Sequence, residues 1–301
     1  MATARTAEVA LASRAGAFVA LTKPDVSFLV VVTTAAGYYM ATGGPVNWLR
    51  LVHAAFATAL IAAGTAALNH YLERDSDRYM RRTASRPLPS GALEPVEALA
   101  FGAGLAMAGA VDLYVVGGWL TAGLGILTSL AYLLAYTPLK KRTVWATFVG
   151  AFPGAIPPMI GWAAARGTLD GGAWLLFAIL FLWQFPHFHA IAWIYREDYA
   201  RASLRMLPVV DPDGRRTSRS MIAWCVALLL VSLLPLWFGP ARWAYAAGAV
   251  LLGLAFLGGA LRFRHERTVA RARTVLRLSL LYLPGLLALL LLDGACTWLW
   301  R

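Results

Sequence analysis

Residues 66 to 78 read Ala66-Ala67-Leu68-Asn69-His70-Tyr71-Leu72-Glu73-Arg74-Asp75-Ser76-Asp77-Arg78, the point where an apolar run beginning near residue 51 gives way to acids and bases. Residues 51 to 70 supply the roughly 20 mainly apolar positions that a membrane-spanning helix needs. Asn69, Glu73 and Asp77 recur every four positions, about 40° past a full helical turn per step, so they share one face over roughly 12 Å. Like charges at that spacing repel, and carboxylates beside hydrocarbon are costly without a partner. A hard divalent cation answers both problems. Carboxylate and amide oxygens suit Mg²⁺, which keeps waters and takes phosphate oxygens as further ligands. The alternative is a solvated helix end whose carboxylates pair with Arg74, Arg78 and Arg82.

The basic residues beyond the acids favour the metal. Arg78, Arg81, Arg82 and Arg86 arrive turn after turn and end in Arg86-Pro87-Leu88-Pro89-Ser90-Gly91. Arginine suits bidentate phosphate recognition, so acids for a metal beside arginines for phosphate describe a diphosphate site. A similar arrangement recurs downstream: Trp193-Ile194-Tyr195-Arg196-Glu197-Asp198-Tyr199 is followed by Ser203-Leu204-Arg205-Met206-Leu207-Pro208, a short echo of Ser85-Arg86-Pro87-Leu88-Pro89. The echo suggests two related halves that set their acidic clusters face to face at one membrane surface. Tyr136-Thr137-Pro138-Leu139-Lys140-Lys141-Arg142 forms a third basic and hydroxylic edge.

The whole chain agrees with a membrane setting. Its 301 residues are 59% hydrophobic and 14% charged, with a mean hydropathy of +0.62, which no water-soluble domain carries on its surface. Nine apolar spans are expected, near 27–42, 51–70, 95–113, 117–137, 145–164, 171–195, 221–239, 243–261 and 277–299. The fold class is therefore all-α: a polytopic bundle of nine transmembrane helices around a central cavity open at the cytoplasmic side. Residues 1–301 read as a single domain, with an interfacial segment at 1–24, where Arg5, Glu8 and Arg14 interrupt short apolar stretches, and active-site loops at 71–94 and 196–220. Nine spans put 23 of the 27 Lys and Arg on one side and leave Arg50, Arg166, Arg242 and Arg301 opposite, which places the N-terminus and basic loops in the cytoplasm and the C-terminus outside. Topology and attraction to anionic lipid thus account for the net charge of +12, and a nucleic-acid-binding reading is excluded. Cys225 and Cys296 sit in apolar runs and read as packing residues.

Histidines are weighed separately. His187 and His189, in Gln184-Phe185-Pro186-His187-Phe188-His189, point about 160° apart on a helix, so at most one lines the cavity unless the helix breaks near Pro186. His70 lies one position off the acidic face, and His53 belongs to the opposite membrane side. A transporter would need deep carboxylates, and only Asp112 and Asp293, both near helix ends on the far side, could serve.

These motifs resemble the intramembrane prenyltransferase superfamily related to 4-hydroxybenzoate polyprenyltransferase, whose mark is Asn-x-x-x-Asp/Glu-x-x-x-Asp after the second helix and a second acidic motif after the sixth. Within it the haem-farnesylating branch matches better than the quinone-type branch. That match runs through Leu21-Thr22-Lys23-Pro24, Asn69 to Arg78, Arg86 to Gly91, Tyr136-Thr137, Lys141-Arg142-Thr143, Gly154-Ala155-Ile156-Pro157-Pro158 with Gly161-Trp162, Trp183 to Phe188, Asp198-Tyr199 and Met206 to Val210. The chain departs from the pattern at Glu73 (usually Asp), Ser203 (commonly Gly), Arg205 (commonly Pro) and Ala146 (Asn expected). The resemblance implies that farnesyl diphosphate and haem B are joined, with addition of water, to give haem O and diphosphate; the alternative is a quinone-precursor or other aromatic polyprenyltransferase. It implies Mg²⁺ on Asn69, Glu73 and Asp77, with Glu197 and Asp198 serving a second metal or the closing loop, and Asp198 counted with the first three as catalytic. It also implies diphosphate held by Arg78, Arg82, Arg86, Lys141 and Arg142, and haem by His187 or His189. The setting implied is the bacterial cytoplasmic membrane, with haem A synthase or oxidase assembly factors as candidate partners.

Overall fold

Helix boundaries follow the capping chemistry of the sequence. The computed structural model describes residues 14–42, 45–238 and 243–292, all helix and connection, with no strand among them. Helix α1 (Arg14–Leu21) meets α2 (Pro24–Ala41) at a 45° bend. Pro24 starts α2 where its missing N–H costs nothing, and Lys23 before it is left-handed (φ 47°, ψ 65°). Asn47 caps α3 (Trp48–Asp77) by accepting the Arg50 N–H at 3.0 Å. At 30 residues, α3 is about 45 Å long, so it outruns the ~30 Å hydrocarbon layer and carries its acidic end past it. Helix α4 (Pro95–Leu130) opens with a capping box of Glu94 and Glu97 and runs through a π-helical turn (Ala131–Tyr136) into the short α5 (Thr137–Leu139).

Gly118 breaks α4 at φ 71° and ψ −164°, a backbone conformation reserved for glycine. The chain reverses there. A Cβ on Gly125 would stand 2.5 Å from a Leu113 methyl, and Ile61 of α3 lies against both Gly109 and Gly125. Gly64 packs on the Gly102 carbonyl while its neighbour Thr65 hydrogen-bonds Ser129 at 2.5 Å; in a straight helix residues 102 and 129 would be ~40 Å apart. Segments 95–117 and 119–130 thus lie side by side against α3, in keeping with the separate spans expected at 95–113 and 117–137.

The remaining elements are α6 (Ala146–Ala155), α7 (Pro157–Arg166), α8 (Gly171–Ile194), α9 (Arg196–Arg201), α10 (Leu207–Val210), α11 (Arg215–Val231), α12 (Pro235–Phe238), α13 (Trp243–His265) and α14 (Val269–Leu292). Among the described residues six helical segments, with α4 to α5 and α6 to α7 each taken as one, are long and apolar enough to cross a membrane, or seven with α1 and α2 as one bent span. Helix α11, at 17 residues, covers the expected span 221–239 only to Val231, α12 continues it to Phe238, and α14 starts eight residues before the expected 277. The part of the 1–24 segment before Arg14, and Arg242, Asp293, Cys296 and Arg301, lie outside the described residues. Cys225 is buried, as a packing residue would be.

Close packing draws the elements together. Helices α2 and α7 touch backbone to backbone: a Cβ on Gly161 would stand 1.9 Å from the Thr34 carbonyl oxygen. The largest core cluster joins α8, α11, α13 and α14 through Trp183, Met221, Tyr245, Phe256, Phe263 and Tyr282. Exposed Trp48, Trp119, Trp174 and Trp243 stand at the start of α3, beside the Gly118 reversal and at the starts of α8 and α13, an aromatic girdle at one end. His53 and Asp112 pair at 2.5 Å near the same end. Paired in this way on the protein's flank, Asp112 does not form the deep site that a transporter would need.

Cysteines placed at 113 and 125 should form a disulfide under mild oxidation in detergent, because the reversal brings the two positions into contact. In an unbroken helix they would be ~18 Å apart and would stay reduced.

Candidate functional site

The end of the bundle opposite the tryptophans carries the acidic terminus of α3. Asn69 and Asp77 are buried, and Glu73 is 13% exposed at its side chain. Each of the three meets a cation from a different element. Lys23, between α1 and α2, donates from Nζ to Asn69 Oδ1 at 2.8 Å. Lys140, just past α5, donates to Glu73 Oε1 at 2.7 Å, and Arg86, in the connection after α3, donates from Nη1 to Asp77 Oδ2 at 2.7 Å. Burial works against the Lys140 ammonium, yet Glu73 and the rings of Tyr136 and Tyr132 raise its pKa well above the ordinary lysine value. Its Nζ lies 4.3 Å from the Tyr136 ring centre. Asn69 Nδ2 donates to Thr137 Oγ1 at 3.2 Å, which fixes the amide so that its oxygen faces Lys23.

Asp77 Oδ1 is buried with no hydrogen-bond partner among the described residues. A buried carboxylate oxygen without a donor is costly, and it fits a cation ligand. No three His, Cys, Asp or Glu side chains cluster closely enough among the described residues to hold a metal by themselves. Two carboxylates and an amide suit Mg²⁺ nonetheless, since that ion draws its remaining ligands from water and substrate phosphate.

The second acidic stretch comes to the same end of the bundle, but its carboxylates make different contacts. Asp198 is buried, accepts the Arg81 backbone N–H at 3.3 Å and pairs with Arg201, whose Nε donates to the Tyr79 carbonyl. Arg82 donates to Tyr199 Oη at 2.8 Å and stacks over Tyr195 and Tyr199. Met80, Ala202, Leu204 and Met206 pack beneath these contacts. The expected meeting of the two loops is present. It is made by arginines and tyrosines, and Asp198 ties one loop to the other, while Glu197 is exposed.

Arg78, Lys141 and Arg142 are exposed, and the Arg142 carbonyl accepts a hydrogen bond from Arg205. Lys140, one residue earlier, reaches the acids instead. Tyr132, Tyr136 and Lys140 are spaced by four, a signal in the sequence that marks Lys140 as the inward member of the basic run. Lys23 had a signal too, as a lysine left directly before the proline that starts an apolar helix.

The histidines of α8 diverge as their spacing requires. His189 Nε2 hydrogen-bonds Ser220 Oγ at 3.0 Å, and His187 Nδ1 bonds Ser279 Oγ at 2.8 Å while its ring stacks on Trp183. Ser279 gives its own proton to the Leu276 carbonyl at 2.6 Å, so its oxygen accepts from His187 Nδ1–H. That tautomer leaves Nε2 of the half-buried His187 with a lone pair.

Two departures from the family pattern have local explanations. Ser203 is left-handed at φ 57°, a conformation glycine adopts more easily. Arg205 uses the backbone N–H that proline lacks to hold the Lys140 carbonyl at 2.7 Å. Nothing in the structure explains Ala146, which is buried.

The sequence pattern of the UbiA prenyltransferase family matches residues 30–283. The chain is 52% identical over 285 residues to protoheme IX farnesyltransferase of Solibacter usitatus, covering 92% of this chain and 98% of that one. It is 47% identical over 283 residues to the enzyme of the same name from Myxococcus xanthus, covering 91% and 93%. Among solved structures, digeranylgeranylglyceryl phosphate synthase superposes with a TM-score of 0.78 at 17% identity, over 94% of this chain and 99% of that one. A UbiA homologue from Archaeoglobus fulgidus bound to GPP and Mg²⁺ superposes at 0.63 with 13% identity, over 92% and 100%.

Asp198→Ala should free the Arg81 amide and loosen the joined loops. Hydrogen exchange of peptides spanning 79–86 should speed up on the order of tenfold, as expected for ~1–2 kcal/mol of lost local stability. Unchanged exchange there would refute the tie.

Proposed function

The chain belongs to the UbiA prenyltransferase family, and from that premise we infer that it transfers the farnesyl group of farnesyl diphosphate to a vinyl group of haem B, with addition of water, giving haem O and diphosphate. The observation that carries the diphosphate half of this reading is the buried Asp77, with one oxygen on Arg86 and the other without a partner among the described residues, on one helix face with Glu73 and Asn69. Asn69, Glu73 and Asp77 would hold Mg²⁺, which supplies charge neutralisation to the leaving diphosphate.

The remaining work belongs to the chain. Lys23, Arg86 and Lys140 already reach Asn69, Asp77 and Glu73 and are placed to take phosphate oxygens, and Arg82 closes the second loop over them. Arg78, Lys141 and Arg142 remain the outer basic edge that draws an anion to the site. Stabilising the departing diphosphate lets the allylic C–O bond ionise, and the apolar walls keep water from the farnesyl cation until the vinyl carbon attacks it. Water then adds at the cationic carbon beside the porphyrin and releases a proton, which completes the hydroxyethylfarnesyl side chain. For haem we propose His187: its Nε2 lone pair can meet the iron, and it lies ~10 Å of helix before the end of α8. His189, bonded to Ser220, faces a different neighbour and supports the helix. Asp198 is proposed to order the loops, in place of the catalytic role that the family resemblance implies, and exposed Glu197 stays a candidate for a second ion only when the loops close.

The layout in the membrane is part of the same proposal. With the Gly118 reversal counted as two crossings and α11–α12 as one, the described helices make nine spans around a central cavity. The basic end then lies in the cytoplasm, in a bacterial inner membrane. Haem-handling proteins of oxidase assembly are the partners this reading calls for.

Purified protein given Mg²⁺, farnesyl diphosphate and haem B should yield a porphyrin heavier by one farnesyl group plus water, read by mass spectrometry. Asp77→Ala or EDTA should lower the rate by at least about a hundredfold. Diphosphate release without modified haem would move the acceptor to quinone precursors. A second prediction concerns the acceptor: His187→Ala should weaken haem binding about tenfold or more in a spectral titration and leave diphosphate binding intact, and equal loss of both would remove His187 from the haem site.

A further inference from the structure

His70 is 2% exposed, and neither of its ring nitrogens has a hydrogen-bond partner among the described residues. Buried polar groups are normally paired, and a packed imidazole with both nitrogens unpaired costs more than an apolar side chain of the same shape. Packing therefore gives no reason for a histidine here. Its surroundings give one. The charged groups acting on the ring are Lys23, Arg86 and Glu73, and both cations already belong to the acidic face, Lys23 through Asn69 and Arg86 through Asp77. On α3 the ring stands about 60° around the helix from Glu73, on the flank of that face. Mg²⁺ prefers oxygen ligands, so the ring is suited to the anion and not to the metal. In its neutral form it has one N–H to give.

We propose that His70 is a diphosphate-binding residue whose ring N–H donates to a non-bridging oxygen of the allylic diphosphate, between Lys23 and Arg86. The inference rests on the reading that this site takes an allylic diphosphate, and it adds a neutral, directional donor to a set of cations. A hydrogen bond with an ionised partner fixes the angle of the group it meets, whereas lysine attracts from many directions. The leaving group is thereby held in one orientation about the C–O bond that breaks.

The test measures the affinity of the full-length protein in detergent for farnesyl thiolodiphosphate, a non-ionising analogue, with Mg²⁺, by calorimetry, together with the melting temperature. His70→Leu should raise Kd on the order of ten- to a hundredfold, the usual weight of a hydrogen bond to a charged group. It should melt at or above the wild-type temperature, because it removes an unpaired buried group. His70→Gln, which keeps an N–H, should recover most of the affinity. A Kd for His70→Leu within about twofold of wild type overturns the proposal, and so does a lower melting temperature for both variants, which would make the ring a structural group. A wild-type protein that binds no analogue overturns the diphosphate reading itself, and this inference with it.

Discussion

Two carboxylates and an amide on one buried helix face set the terms for this end of the molecule. A charge at the edge of the hydrocarbon layer is tolerated only with a partner, and breaking a buried ion pair costs far more than the pair contributes to stability. Arg86 and Lys140 answer Asp77 and Glu73 one for one, at 2.7 Å each. They come from opposite sides of the α3–α4–α5 unit, so the pairing holds the connection after α3 and the end of α5 against the same face. Lys23 brings the α1–α2 junction to it as well. Three chain segments distant in sequence are thus fixed by the need to cover one set of oxygens.

That convergence requires close helix approach elsewhere. Lys23 can reach Asn69 only if α2 is held firmly, and its contact with α7 leaves no room for a side chain at Gly37 or Gly161. Lys140 reaches Glu73 because the reversal at Gly118 returns the chain along α3, with Ile61 and Thr65 gripping both arms. In lipid the drive for such contacts is close packing between small residues, with no apolar surface left to hide from water. Glycine content and charge placement are therefore two parts of one device.

Periodicity exposed much of this in the sequence. The spacing of Asn69, Glu73 and Asp77 put the three on one buried face, and the apolar runs located the helices, because both depend only on local geometry. The cation partners were harder to read. Of Lys140, Lys141 and Arg142 only the first turns inward, a choice made by the helical phase carried through Tyr132 and Tyr136. Glu197 and Asp198 looked like a second metal set, but Asp198 accepts the Arg81 backbone N–H of the first loop and pairs with Arg201 of its own, and tertiary contact alone decides the first of these. The break in hydropathy between the spans at 95–113 and 117–137 already separated two crossings, and the positive φ of Gly118 puts the reversal at the start of the second.

The same pairing gives a reason why the proposed metal and anionic substrate would bind together. A diphosphate arriving alone would find Arg86 and Lys140 already paired with carboxylates. Replacing those cations on the carboxylates with a divalent ion would release both side chains toward the phosphate oxygens. Attraction for the anion is then built from charges the fold needed in any case to bury its acids. On the proposed function, the residues that balance the site at rest would be the ones that hold the leaving group, so ion-pair geometry and substrate affinity would be set by the same distances.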